Sequence, residues 1–115
     1  MKTTLCMIAA AAALSVCAPV MAGGDAAAGK EKAMVCFTCH GEDGLANTGS
    51  MPQPPKLAGQ HRDYLLQSLE AYANGKRQSP IMAPFVANLS DEDMADLAAY
   101  FAALDSSLTL VESSD

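Results

Sequence analysis

Cys36, Phe37, Thr38, Cys39 and His40 stand consecutively, and no other feature of the chain limits its fold as tightly. Two thiols three positions apart, with an imidazole beside the second, can close a local disulfide, ligate a metal ion, or add across the two vinyl groups of one haem. Thioredoxin-like dithiol chemistry wants a strand before the motif and alternating strands and helices around it, and neither pattern is present. A zinc site wants a second pair of ligands, yet the only other histidine is His61, and the remaining cysteines, Cys6 and Cys17, lie near the N-terminus. The motif therefore reads as covalent haem attachment through Cys36 and Cys39, with His40 held beneath the iron as an axial ligand.

The first 22 residues differ in character from the rest. Lys2 gives a short positive start, Leu5 to Val16 is apolar and uncharged, and Val20, Met21 and Ala22 end in small residues where a signal peptidase cuts. Cleavage after Ala22 is expected. A membrane anchor fits less well, because the uncharged run contains Pro19 and two glycines and lacks a basic flank. A lipid-modified Cys17 fits less well too, because Val16 stands where such signals need a small residue. Export removes Cys6 and Cys17 and leaves 93 residues with one cysteine pair, enough for a single domain over 23–105 followed by a flexible tail over 106–115. Three Tyr, three Phe and no Trp supply little aromatic bulk, so a chain this short gains from an embedded flat cofactor.

Six positive side chains face thirteen carboxylates in the exported part, a net charge of minus seven. That sign excludes nucleic acid as a partner and disfavours anionic lipid. Asp25 reads as the N-cap of a first helix running to about Val35, on which Gly29, Ala33 and Cys36 share a face where another helix can cross closely. Residues 41–55 are rich in Gly, Pro, Asn, Ser and Thr, which predicts a long loop of the kind that wraps around something. Arg62 to Asn74 predicts a second helix, with Leu65, Leu69 and Tyr72 on one face and Gly75 at the stop. Pro80 and Pro84 predict an extended stretch from Lys76 to Asn88. A last helix starts at Ser90 with Asp93 completing a capping box, Leu89 stapling to Met94, and an apolar stripe of Met94, Leu97, Ala98, Phe101 and Leu104. Its acidic first turn, Asp91 to Asp93, suits the helix dipole. No strand pattern is legible.

A six-coordinate haem needs a ligand opposite the histidine. Met34 is too near the motif to reach the far face, and Met94 lies on the last helix's packing stripe, so both read as core. Met82 stands between two prolines 42 residues after His40 and is the leading candidate. Met51, in the loop, and His61, which otherwise reads as a surface residue, remain alternatives.

Residues 24–44 (GDAAAGKEKAMVCFTCHGEDG), 54–60 (PPKLAGQ) and 74–104 (NGKRQSPIMAPFVANLSDEDMADLAAYFAAL), in that order, make the chain resemble the class I c-type cytochromes. The likeness is to the short bacterial type found singly or as one half of tandem dihaem carriers. The resemblance implies an all-α fold of about three main helices and long loops around one haem c, with the first and last helices crossing near Gly29 and the Tyr100 and Phe101 pair. It implies that the Pro55 carbonyl accepts from the His40 ring, that Leu57 packs on the haem, and that Met82 is the distal sulfur ligand. Arg77, with Lys76 beside it, is a candidate for a haem propionate; Arg62 and Gln60 are weaker ones.

The function expected is that of a periplasmic monomer shuttling single electrons, not an enzyme, with redox partners such as a membrane oxidase, a quinol-oxidising complex or a periplasmic dehydrogenase. A catalytic or gas-binding haem protein would need an open iron position, and a permanent subunit of a larger oxidoreductase would differ only in its partner surface. Intact mass of the denatured, exported protein checks the first step. It should match a chain beginning at Gly23 plus one retained haem, and Cys36→Ala or Cys39→Ala should leave a single-bonded or haem-free product.

Overall fold

The computed structural model describes residues 23–106, so the expected signal peptide, its cleavage site and nearly all of the expected tail lie outside the described residues. Five helices follow in order: α1 (Ala26–Lys32), α2 (Met34–His40), α3 (Arg62–Ala73), α4 (Ala83–Val86) and α5 (Asp91–Ala103). There is no strand among the described residues, and no helix there is long and apolar enough to cross a membrane. The all-α expectation holds.

Asp25 caps α1 as its sequence position suggests, its carboxylate accepting from the Ala27 and Ala28 amides at 2.8 and 3.3 Å. The single helix expected to end near Val35 is instead two. At Ala33 the Cys36 N–H reaches back three residues to the Ala33 carbonyl (2.8 Å), a tightened joint, and α2 then carries the whole Cys36–His40 motif in helical form. This phase turns Ala33, Cys36, Phe37 and His40 inward at i, i+3, i+4 and i+7. Met34 falls on the outer side and is 69% exposed, so its assignment to the core is corrected, whereas Met94 is buried. Gly41, at φ 79°, ends α2 in a conformation that glycine adopts freely.

The expectation of an extended stretch over 76–88 is also corrected. Pro84 occupies the first turn of α4, where a missing N–H costs nothing, and Met82 is the helical N-cap residue of that turn. α5 starts with the reciprocal capping box of Ser90 and Asp93, and it buries Met94, Leu97, Ala98, Tyr100 and Phe101.

α1 and α3 both pack on α5, and α4 leans on α3. The core is thin: Ala33, Leu65, Leu97, Ala98, Tyr100 and Phe101, with Cys36, Phe37, Leu57 and Leu69 among the half-buried residues against it. α1 meets α5 at Gly29, where a Cβ would run into the Asp96 carbonyl and the Tyr100 Cβ. Asp96, which sequence periodicity does not single out, is 3% exposed beside this crossing. Its carboxylate accepts from the Asp25 amide (2.7 Å) and from Lys32 Nζ (2.6 Å), and Lys32 also pairs with Asp93 (2.9 Å). The Asp93 part of the acidic turn thus neutralises a lysine of α1 as well as suiting the dipole.

These contacts generate two predictions. Gly29→Ala should destabilise the holoprotein by about 1–3 kcal/mol through overpacking, read as a lower denaturant midpoint. Lys32 and the Ser90 cap hold the Asp93 carboxyl down at about 2, and Lys32 and the Asp25 amide hold Asp96 below the usual carboxylate range. Depressed carboxyls stabilise the fold above the ordinary value of about 4, and that contribution is lost as pH falls toward 2. The thermal midpoint should therefore drop between about pH 4 and pH 2. Lys32→Met should lower it at neutral pH and flatten the acid drop.

Candidate functional site

The motif lies on α2 with its cysteines half-buried and free, and His40 buried at the helix end. The His40 Nδ1–H donates to the Pro55 carbonyl at 2.9 Å, the bond the resemblance implies. That carbonyl has no hydrogen to give, so the tautomer is set and Nε2 is the nitrogen left to act as a ligand. Pro55 arrives by way of the loop after α2, which closes on itself where the Leu57 and Ala58 amides bond the Gly44 carbonyl (2.8 and 3.1 Å) and rejoins the helices where the Gly59 amide bonds the Phe101 carbonyl of α5 (3.0 Å). Burial, followed by the neighbouring Cys39, pushes the Cys36 thiol up, which is the reverse of what a redox-active thiolate requires.

Cys36, Cys39 and His40 open onto a cavity of about 390 Å³, within the usual range for bound organic groups. Its walls come from five parts of the chain. α2 supplies the motif, and the loop supplies Met51 to Leu57. α3 supplies Tyr64, Leu65, Ser68, Leu69 and Tyr72. The α4 region supplies Arg77, Ile81, Met82 and Phe85, and α5 closes the floor with Leu97, Ala98 and Phe101. Six large apolar side chains are exposed among the described residues: Met34, Val35, Met51, Tyr64, Ile81 and Phe85. All but Met34 line this cavity, so most of the exposed apolar surface is the lining of one concavity. Such a cradle, walled by hydrophobic side chains and holding two thiols and one oriented imidazole, fits a flat apolar macrocycle with iron at its centre.

The residues singled out from the sequence are brought together here. Cys36, Cys39, His40, Pro55, Leu57, Arg77 and Met82 all line the cavity. Met51 lines it as well but is 85% exposed, whereas His61 and Arg62 stand outside it on the surface. The Arg77 guanidinium stacks over the Tyr72 ring at 4.8 Å, which fixes a cation at the cavity wall. Sequence reading missed the contribution of α3. Its stripe of Leu65, Leu69 and Tyr72 is visible as periodicity, but periodicity does not distinguish a stripe that faces side chains from one that faces a cofactor.

The Cytochrome c family model matches residues 26–105. Cytochrome c4 of Pseudomonas aeruginosa is 52% identical over 81 residues, which cover 70% of this chain and 39% of that protein. Cytochrome c-554(548) of Halomonas halodenitrificans is 47% identical over 81 residues, covering 68% of this chain and 94% of its own length. The crystal structure of reduced recombinant cytochrome c4 from Pseudomonas stutzeri superposes with a TM-score of 0.63 at 40% identity, over 71% of this chain and 46% of the other. The chain thus spans about half or less of the cytochromes c4 it matches and nearly all of the shorter relative. With its helical fold, its apolar cradle and these matches taken together, the chain belongs to the cytochrome c family and carries covalently bound haem c.

Proposed function

We propose that this protein is a periplasmic single-haem electron carrier in which Cys36 and Cys39 form the two thioethers and His40 and Met82 are the axial ligands. What carries the reading is that both thiols, the oriented imidazole and the Met82 side chain, contributed by two separate helical elements, line the same apolar cavity. Residues 1–22 would direct export, 23–105 would form the carrier domain, and 106–115 would be a tail. Met82 caps a short turn whose N–H is tied to Ser79 Oγ at 3.1 Å, so the backbone that presents its thioether is itself held. Met51 has the same chemistry but lies in the loop with its side chain almost fully in solvent.

Bound haem supplies a one-electron iron couple. The surrounding residues tune it. Pro55 accepts from His40 and makes that imidazole more basic, Leu57 excludes water, and Arg77 presents a guanidinium suited to a propionate. With His40 and Met82 both at the metal, no position remains for a substrate, which favours outer-sphere transfer over catalysis. The exported chain has a net charge of minus seven, and Asp91 and Glu92 are exposed at the start of α5. That field suits a monomer exchanging electrons with basic docking patches on a membrane oxidase, a quinol-oxidising complex or a periplasmic dehydrogenase.

Three measurements test this. Met82→Ala should abolish the iron–sulfur charge-transfer band, and Met82→His should keep the iron low-spin while lowering the potential; an intact band in Met82→Ala would give the ligand role to Met51 or another group. Stopped-flow exchange with a partner carrying a basic patch should slow by about tenfold or more from low to high salt. Rapid stoichiometric carbon monoxide binding by the reduced protein at neutral pH would point instead to an open iron and a catalytic or sensing role.

A further inference from the structure

A helix leaves its last four carbonyls without partners in the helix. In α2 these belong to Phe37, Thr38, Cys39 and His40, and all four are taken up by the following loop. The Gly41 amide bonds Phe37 O (2.9 Å) and the Ala46 amide bonds His40 O (2.8 Å). The other two bonds come from side chains: Thr48 Oγ1 donates to Cys39 O at 2.8 Å, and Ser50 Oγ donates to Thr38 O at 3.3 Å. The two hydroxyls lie 2.9 Å apart, and Gln53 Nε2 donates to Ala46 O at 2.7 Å, bracing the loop across its width two residues before Pro55. Ala46 is buried with φ at 59°, an unusual conformation for a residue with a Cβ, and it bonds to the loop on one side and to α2 on the other.

We infer that Thr48 and Gln53 are positioning residues for the axial histidine: they fasten the 46–53 loop to the end of α2 so that the Pro55 carbonyl meets the His40 Nδ1–H. The inference rests on His40 being an iron ligand. Thr48 lies on the surface, so water can satisfy the Cys39 carbonyl when the hydroxyl is removed, but water does not tether the loop. The consequence of losing Thr48 is a carbonyl less firmly placed against the imidazole, and not an unpaired buried group. A weaker bond at Nδ1 makes the ligand less basic and stabilises oxidised iron less, so the potential rises.

The test uses the holoprotein, with NMR of the His40 ring resonances, solvent exchange of the Nδ1 proton, and redox titration. In Thr48→Val, which keeps the side-chain volume, the proton should exchange about fivefold faster, the size expected for losing most of one hydrogen bond, and the potential should move upward. Thr48→Ser should restore both. Gln53→Leu should shift both in the same direction and serves if Thr48→Val does not retain haem. Wild-type exchange and potential in both Thr48→Val and Gln53→Leu would overturn the inference, as would a Thr48→Ser protein that behaves like Thr48→Val. If the His40 ring protons of the wild type showed no shift from iron or macrocycle, the ligand assignment itself would fall, a result distinct from unchanged variants of a correctly ligated protein.

Discussion

The close approach of α1 to α5 at Gly29 is the contact on which the rest of the structure depends. With no Cβ in the way, the α1 backbone settles against the Asp96 carbonyl and Tyr100, and the following turn at Ala33, wholly buried, delivers α2 at the angle that turns Cys36 and His40 inward. Lys32 and the Asp25 amide then hold that approach from the side by their bonds to Asp96. The far end of α5 secures the next segment: Tyr100 donates to the Glu42 carbonyl at 2.9 Å, and the Phe101 carbonyl accepts from the Gly59 amide at 3.0 Å, so both ends of the loop that carries Pro55 are referred to the same helix. Packing, loop and site are consequences of one helix crossing.

A chain this short has few ways to complete a core. The buried side chains between α1, α3 and α5 are few, and two are alanines. The apolar surface that a larger protein would cover with its own residues is instead gathered around one cavity, whose walls include Val35, Tyr64, Ile81 and Phe85. A flat apolar macrocycle seated there would serve as the missing half of the core, and folding and cofactor retention would then be coupled.

Much of this was legible from residue order. The motif announces the cofactor, Ser90 and Asp93 announce the start of α5, and Gly75 announces the end of α3, because each depends on local chemistry that a few neighbours decide. What was not legible depends on partners distant in sequence. Met34 looks apolar enough for the core, but the joint at Ala33 sets the phase of α2 and turns it outward. Pro84 argues against a helix interior without saying that a four-residue helix can begin beside it. Asp96 looks like one more surface acid until Lys32 and the Asp25 amide, 64 and 71 residues away, are seen to meet it. The Thr48, Ser50 and Gln53 bonds were hidden in a segment whose composition shows only that it is a loop.

The central claim is that His40 and Met82 together complete the coordination of a single covalently held haem. Proton NMR of the reduced protein, with methionine methyl groups isotopically labelled, measures this most directly, because a methyl lying over the macrocycle is moved far upfield by its ring current. The account predicts one strongly upfield-shifted methionine methyl, assigned to Met82, with Met34, Met51 and Met94 near their ordinary positions. A spectrum with no such methyl, or one in which it belongs to Met51, would contradict it.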